Sequence, residues 1–230
     1  MTMPGLRAAL FDLDGTLADT APDLAYALNC VIEEQGKDPL PYATIRPHVS
    51  HGASALIRLG FPELLASSGE FDQCRQRLLA VYRDNIALHT RLFAGMDLLL
   101  DWLDGQGLKW GVVTNKPAWL TQPLMEQLGL ATRAACIVSG DTTALRKPDP
   151  QPMFHACQLM GLAAADCLFI GDAERDIEAG RRAGMKTLVA LFGYLGNNDH
   201  PEQWQADDMV EQPQQIIDWI VGYNQQRRRS

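Results

Sequence analysis

The chain has 230 residues, of which 47% are hydrophobic and 21% are charged, and it carries a net charge of −8. This is the composition of a globular protein with a sizeable core in one or two domains. The acidic balance argues against nucleic-acid or membrane partners, and no segment approaches the roughly 18 apolar residues of a membrane span. The five cysteines form no C-x-x-C pair, which indicates free thiols in a reducing compartment. We therefore expect a cytoplasmic protein.

Short apolar runs that end in polar residues predict the strands of a parallel sheet covered on both faces. In chain order these runs are "AALFDLD" (8–14), "WGVVTN" (110–115), "ACIVSG" (135–140), "CLFIGD" (167–172) and "KTLVALFG" (186–193). Helical patterns separate most of them, over 118–130, 151–162 and 174–185, although Pro123 disturbs the first. The alternation of strand and helix predicts an α/β fold with a doubly wound parallel sheet.

The interval between the first two predicted strands carries little strand signal. Apolar residues recur at helical spacing over 23–36 and 71–89, and "ASALIRLG" is a shorter helix candidate. We interpret residues 20–90 as an inserted helical cap domain, and residues 1–19 and 91–230 as the α/β core domain. Because ligands of open α/β sheets bind outside the carboxyl ends of the strands, an insertion at this point would cover the site as a lid.

Polar residues follow the first four predicted strands, and parallel strands bring their carboxyl ends to one edge of the sheet. These residues are Asp12 and Asp14, then Thr114 with Asn115, then Ser139 to Asp141, then Asp172. Converging carboxylates repel one another, and a divalent cation with oxygen ligands offsets that charge. Magnesium suits one or two carboxylates together with a substrate phosphate, and Lys147 in "LRKPDP" offers a further positive charge.

Asp12 and Asp14 are two residues apart, so in a regular strand they would point to opposite faces. Gly15 ends the strand and lets the chain turn both carboxylates towards one point. Asp12 can then act as a nucleophile while Asp14 exchanges a proton with the leaving group. The alternative is a strand-to-helix turn in which Thr16 or Asp19 caps a helix.

Four segments, "FDLDGTL", "VVTN", "KPDP" and "GDAERD", resemble in order the four motifs of the haloacid dehalogenase (HAD) superfamily. The resemblance covers nearly the whole chain and implies a Rossmann-like core with a helical cap. It further implies that Asp12 is the nucleophile of an aspartyl-phosphate intermediate and that Asp14 is the general acid and base. Thr114 would donate a hydrogen bond to the phosphoryl group, and Lys147 would neutralise charge on nucleophile and phosphoryl group.

The same resemblance implies an Mg²⁺ site. Asp12, the backbone carbonyl of Asp14 and Asp172 would hold the ion, and Asp176 would support it. An acid at the position of Asp14 indicates rapid turnover of the phosphoenzyme, as in a phosphatase or a mutase. We therefore expect a magnesium-dependent phosphatase whose partner is a small phosphorylated molecule, and a chain that is a monomer or homodimer.

Within the superfamily the chain resembles phosphoglycolate phosphatases, and it is also similar to N-acetylmuramic acid 6-phosphate phosphatases through "WGVVTNKP", "GDAERDIEAG" and the segment after "FGYLG". Both substrates pair a phosphate with a carboxylate, so a cationic group in the cap would suit either. The segment "RPHVSHGASALIR" supplies Arg46, His51 and Arg58 as candidate substrate-binding residues, and "TNKP" adds Asn115 and Lys116. As an alternative, Arg58 is a solvated helix residue.

Three other interpretations remain. A sugar-phosphate mutase shares both catalytic aspartates and would return the phosphate to a second hydroxyl. A phosphorylation-dependent receiver also gathers acids, Thr and Lys at strand ends, but it is shorter, has no cap, and carries its acceptor on a middle strand. A catalytically silent binding protein is disfavoured, because every motif acid is present.

Overall fold

The computed structural model describes residues 5–229, so residues 1–4 and 230 of the predicted core lie outside the described residues. Eight strands are present there: β1 (Ala8–Phe11), β2 (Ala18–Asp19), β3 (Arg91–Leu92), β4 (Lys109–Val113), β5 (Cys136–Val138), β6 (Cys167–Gly171), β7 (Lys186–Ala190) and β8 (Asp208–Val210). Six of them form one parallel sheet in the order β5-β4-β1-β6-β7-β8, while β2 and β3 pair antiparallel. The predicted α/β fold is confirmed.

Nine helices are described: α1 (Ala21–Glu34), α2 (Tyr42–Ile45), α3 (Ala53–Gly60), α4 (Gly69–Asp84), α5 (Met96–Gly105), α6 (Ala118–Gln127), α7 (Gln151–Met160), α8 (Glu174–Ala183) and α9 (Gln214–Arg229). A 3₁₀ helix, Arg46–His51, joins α2 to α3. The first four α-helices lie between β2 and β3, where α1, α3 and α4 pack on one another. We call residues 21–84 the helical segment. The domain limits 19/20 and 90/91 stay predictions.

The sheet is covered on both faces because its strands send alternate side chains to opposite sides. In β1, Ala9 and Phe11 belong to the larger apolar cluster, which includes side chains of α5 and α9. Ala8 and Leu10 belong to a second cluster with side chains of α7 and α8. All four residues are essentially buried, which explains the continuous apolar run that predicted this strand.

Register aligns the carboxyl ends of the central strands. Phe11, the last residue of β1, pairs with Val112 of β4 and with Ile170 of β6. The polar residues that follow these strands therefore lie within one residue of the same level. Among residues 5–229, no helix is long and apolar enough to cross a membrane.

A buried carboxylate ties the helical segment to the chain that leads back to the sheet. Asp23, in the first turn of α1, accepts hydrogen bonds from the backbone amides of His89 and Thr90 at 2.9 Å each and from the Thr90 hydroxyl at 2.7 Å. The two connections also pair through β2 and β3. These contacts fix where the helical segment begins and ends relative to the sheet edge.

Two local features differ from the sequence prediction. The helix α6 continues through Pro123, and its residues Leu120, Thr121, Leu124 and Met125 are buried. This packing outweighs the local cost of a helical proline, about 3 kcal/mol. The strand β8 and the pair β2–β3 are three residues long or shorter, too short to leave a periodic pattern.

Candidate active site

Four neighbouring strands bring polar residues to one edge of the sheet. The residues that follow β1, β4, β5 and β6 are Asp12, Thr114, Ser139 and Asp172, and all four are buried. Asp12 and Thr114 line a cavity of about 660 Å³ between the sheet edge and the helical segment, and Asp172 lines a smaller cavity of about 230 Å³ that shares Ser50 and His51 with it. The topology therefore gathers residues that are far apart in sequence, as predicted.

The turn after β1 depends on Gly15. Its φ of +87° lies in the left-handed region, and a Cβ at this position would collide with Asp172 Oδ2. The turn is closed by backbone hydrogen bonds from Leu17 to the Asp12 carbonyl at 3.2 Å and from Gly15 to the Ala18 carbonyl at 3.1 Å. Glycine is needed here because residues with a side chain rarely adopt this backbone conformation and their Cβ would collide with the Asp172 carboxylate.

Lys147 occupies the centre of the acidic cluster. Its fully buried ammonium lies 2.9 Å from Asp12 Oδ1 and 2.8 Å from Asp176 Oδ1, and it donates to the Val113 carbonyl at 2.8 Å. The Leu13 amide also donates to Asp12 Oδ1, at 2.7 Å. The Asp12 carboxylate is therefore held in one orientation by a cation and a backbone N–H.

The pKa values of the three carboxyls reflect burial and charge. Burial raises the pKa of Asp12, but the charges of Lys147 and Arg175 outweigh it, so the pKa lies below the usual value. Burial, then the charges of Asp12 and Asp176, raise the pKa of Asp172 to about 7. Burial and the charge of Asp12 raise the pKa of Asp176 as well. With all three carboxyls ionised, the cluster carries one more negative charge than Lys147 and Arg175 neutralise, and this repulsion contributes to the raised pKa values of Asp172 and Asp176.

The acidic residues fit a divalent cation. Ligand atoms of Asp12, Asp172 and Asp176 lie within 4.8 Å of one another, and all three residues are buried. Asp176 Oδ1 receives no hydrogen bond of good geometry within the described residues, although Lys147 is ion-paired with it. An all-oxygen set with surplus negative charge suits a hard cation such as Mg²⁺. That the backbone carbonyl of Asp14 is a further ligand of the cation stays a prediction.

The Asp14 side chain is held by two donors away from Lys147. The Thr20 hydroxyl donates to Asp14 Oδ1 at 2.7 Å, and Lys116 Nζ lies 2.9 Å from the same oxygen. Lys116 also donates to the hydroxyl of Tyr82, on α4, at 3.0 Å. Asp12 and Asp14 therefore have different cationic partners, which gives the two acids different environments.

Thr114 and Asn115 line the cavity; their predicted contacts with a phosphoryl group and a substrate stay predictions. The Thr114 hydroxyl accepts a hydrogen bond from the Lys116 amide at 3.2 Å. Asn115 Nδ2 donates to the Lys147 carbonyl at 2.9 Å. Asn115 thus ties the loop after β4 to the backbone of Lys147.

Two of the three cationic residues predicted in the helical segment lie outside the cavity. His51 lines it, and burial and the charge of Arg175 lower the pKa of its imidazole. The Arg46 guanidinium instead donates to the carbonyls of Gly193 and Phe192 at 3.0 and 3.2 Å. Arg58 is exposed and packs its guanidinium 5.8 Å from the Phe71 ring centroid. The structure therefore does not bring Arg46 and Arg58 to this cavity.

Four further residues of the cavity wall were not predicted from the sequence, and three of them are arginines. They are Arg75 and Tyr82 on α4, Arg146 next to Lys147, and Arg175 in the first turn of α8. Arg146 and Arg175 lie within or beside the quoted motifs "KPDP" and "GDAERD". The spacing of Arg75 and Tyr82 places both on one face of a helix, and that spacing was a usable signal.

Comparison with known proteins decides the family. The family described as haloacid dehalogenase-like hydrolase matches residues 9–190 of the chain. The chain belongs to the haloacid dehalogenase-like hydrolases. It is an enzyme of this hydrolase family, and the sequence resemblance is confirmed.

Relatives within the family align along almost the whole chain. A phosphoglycolate phosphatase of Xanthomonas campestris pv. campestris (strain 8004) is 43% identical over 210 residues, 91% of this chain and 94% of the relative. An N-acetylmuramic acid 6-phosphate phosphatase of Pseudomonas aeruginosa PAO1 is 41% identical over 213 residues, 93% of this chain and 94% of the relative.

A solved structure has the same architecture. The crystal structure of a predicted phosphoglycolate phosphatase from Haemophilus somnus 129PT superposes with a TM-score of 0.83 at 26% identity. The superposition covers 93% of this chain and 97% of that chain. The similarity therefore includes the helices between β2 and β3 as well as the sheet.

Proposed function

We propose that this hydrolase removes the phosphoryl group from a small phosphorylated metabolite that carries a carboxylate, through an aspartyl-phosphate on Asp12. The observation that carries the proposal is the position of Asp12. Its carboxylate is buried, ion-paired with Lys147 at 2.9 Å, and lines a cavity that cationic side chains surround. A low pKa keeps this carboxylate ionised and therefore nucleophilic.

In the first step an oxygen of Asp12 forms a bond to phosphorus as the ester oxygen leaves. Asp14 gives the leaving oxygen a proton, which yields the alcohol. In the second step Asp14 takes a proton from water, the water oxygen bonds to phosphorus, and the bond to Asp12 breaks to release phosphate. Lys116 and Thr20 hold the Asp14 side chain for both steps.

Cations lower the barrier by neutralising charge. Lys147 offsets the repulsion between Asp12 and the phosphoryl oxygens. Asp12 and Asp172 would hold Mg²⁺, with the Asp14 carbonyl, and Asp176 would support the site through its contact with Lys147. When bound, Mg²⁺ supplies further neutralisation of the phosphoryl oxygens. Thr114 is the proposed hydrogen-bond donor to that group.

Two substrates are supported by the relatives, and the cavity favours the larger. Phosphoglycolate and N-acetylmuramic acid 6-phosphate each carry a phosphate and a carboxylate, and the phosphatases named for them are 43% and 41% identical to this chain. A cavity of about 660 Å³ with apolar wall residues Leu24, Val49, Leu79 and Leu120 exceeds the needs of a two-carbon acid. The size of the cavity is the observation that supports an amino-sugar phosphate as a second candidate substrate beside phosphoglycolate.

A phosphate-release screen tests the proposal. Purified protein is assayed with 2-phosphoglycolate, N-acetylmuramic acid 6-phosphate and neutral sugar phosphates, with Mg²⁺ or with a chelator. We expect release of inorganic phosphate from a carboxylated substrate, lost with the chelator. Formation of an isomer without free phosphate would identify a mutase instead.

We also propose that residues 20–90 act as the cap of this site. A cytoplasmic location and a monomeric or homodimeric state stay predictions.

A further inference from the structure

The carboxylate of Asp172 is fixed by three hydrogen-bond donors. The Tyr194 amide donates to Oδ2 at 2.9 Å, and the Thr16 hydroxyl donates to Oδ1 at 3.1 Å. Both come from loops at the edge of the sheet. The third and shortest bond, 2.7 Å, comes from the hydroxyl of Ser50 to Oδ2. Ser50 belongs to the 3₁₀ helix of the helical segment, so the insertion reaches a proposed metal ligand directly.

The backbone of Ser50 is also attached to the strand end that carries Asp172. Its carbonyl accepts a hydrogen bond at 2.7 Å from the guanidinium of Arg175, in the first turn of α8. Arg46, at the start of the same 3₁₀ helix, donates to the carbonyls of Phe192 and Gly193, which directly precede Tyr194. The 3₁₀ helix therefore contacts the first turn of α8, which follows Asp172, and the loop that holds Tyr194.

We propose that Ser50 is a positioning residue that orients Asp172 for the divalent cation and thereby couples docking of the helical segment to metal binding. The inference rests on the proposed function, since that proposal places the cation at Asp172. When the 3₁₀ helix is docked, the Ser50 hydroxyl holds Oδ2 and restricts the rotation of a buried carboxylate. By thermodynamic linkage, the cation in turn stabilises the docked 3₁₀ helix.

Ser50 is separable from the docking contacts. Substitution Ser50→Ala keeps the carbonyl that Arg175 contacts and leaves the Arg46 contacts in place, so it removes the hydroxyl bond to Asp172 alone. Ser50 and His51 both line the cavity of about 660 Å³, but Mg²⁺ is titrated without substrate, so contact of Ser50 with substrate does not enter the measurement. A loss of metal affinity in Ser50→Ala is therefore specific to orientation of Asp172.

Calorimetric titration of Mg²⁺ into the metal-free protein tests the proposal. Groups that hydrogen-bond to a metal ligand contribute about 10- to 100-fold to metal affinity, so we expect Ser50→Ala to bind Mg²⁺ about 10-fold more weakly. Ser50→Thr restores the hydroxyl and should recover most of the affinity. Thr44→Ala removes an exposed hydroxyl from the neighbouring α2 and should bind like the wild type.

Amide hydrogen exchange over residues 46–51 gives the reciprocal readout. We expect Mg²⁺ to slow this exchange in the wild type and to slow it less in Ser50→Ala. Wild-type affinity in Ser50→Ala, with binding lost in Asp172→Asn, would overturn the role of Ser50 and leave the proposed function intact. Undiminished binding in Asp172→Asn would overturn the proposed metal site, and the inference with it.

Discussion

Asp14 and Lys116 form a nearly buried ion pair, with 2.9 Å between Asp14 Oδ1 and Lys116 Nζ. The Lys116 ammonium also donates to the hydroxyl of Tyr82, a residue of α4 in the helical segment. The proposed acid and base is thus held by a lysine whose own position depends on the insertion. Docking of the helical segment therefore affects the positions of two carboxylates: that of Asp14, through Tyr82 and Lys116, and that of Asp172, through Ser50.

Tyr82→Phe tests the first of these links. The variant removes the acceptor of a buried ammonium, and an unsatisfied buried group costs about 1–3 kcal/mol. We expect a loss of this size in the free energy of unfolding, measured with urea, together with a lower kcat. Burial raises the pKa of Tyr82 to about 12, so its hydroxyl stays protonated and the pH profile should not move. Tyr26→Phe, at an exposed site on α1, is the control; an equal effect there would refute the link.

Lys147→Met should be the most destabilising of these substitutions in metal-free protein. The lysine is fully buried between Asp12 and Asp176, and removal of one member of a buried ion pair costs about 3–5 kcal/mol. Urea unfolding in a chelator measures the loss, and added Mg²⁺ should offset part of it. Lys37→Met removes an exposed pair with Glu63 and should cost about 0–1 kcal/mol. Similar losses in the two variants would contradict the account.

The stability of the metal-free protein should fall between about pH 4 and pH 7. An unfolded aspartate titrates near about pH 4, whereas burial and two neighbouring acids raise the pKa of Asp172 to about 7. The folded state therefore binds more protons in this window, and the free energy of unfolding decreases as pH rises. We expect Asp172→Asn to be more thermally stable than the wild type at pH 8 in a chelator, with a smaller difference at pH 5.

The affinity for Mg²⁺ should depend on the same ionisation of Asp172, but it should rise with pH where the stability of the metal-free protein falls. The cation needs ionised Asp172, so Mg²⁺ affinity of the wild type should rise with pH up to about 7 and then level. Calorimetry at several pH values measures this. A wild type that is more stable than Asp172→Asn at pH 8 in a chelator, or an affinity independent of pH, would contradict the assigned environment.

The sequence predicted the core of the site because the topology is simple to infer from it. Asp12, Thr114 and Asp172 each end an apolar run, and a parallel sheet necessarily brings such residues to one edge. The glycine after Asp14 indicated the turn, and the structure shows why no other residue fits there. These inferences needed local pattern and strand adjacency alone.

The side chains of the helical segment that reach the site were harder to predict from the sequence, because their direction depends on contacts with residues distant in the chain. Arg46 looked like a substrate ligand, but carbonyls of Phe192 and Gly193, far along the chain, determine its position. Nothing local to "RPHVSHG" encodes that contact. Arg75, by contrast, lies seven residues before Tyr82 on one face of α4, and helical periodicity alone could have paired them.

Arg75→Gln and Arg146→Gln should weaken binding of a carboxylated substrate. Both arginines line the cavity, whereas Arg58 is exposed outside it. We expect each variant to raise KM for the carboxylated substrate about 10-fold or more, in line with the roughly 1.5–3 kcal/mol of a hydrogen bond to a charged group, and to change KM for p-nitrophenyl phosphate much less. Arg58→Gln should change neither KM. The assignment fails if Arg58→Gln alone raises KM.

The central claim is that Asp12 becomes phosphorylated during turnover. The most direct measurement uses Asp14→Asn with p-nitrophenyl phosphate, a substrate whose leaving group needs no proton, so that the intermediate forms but is hydrolysed slowly. After an acid quench, peptide mass spectrometry should find one phosphoryl group on the peptide that contains Asp12. An unmodified Asp12 peptide during continuing phosphate release would contradict the account.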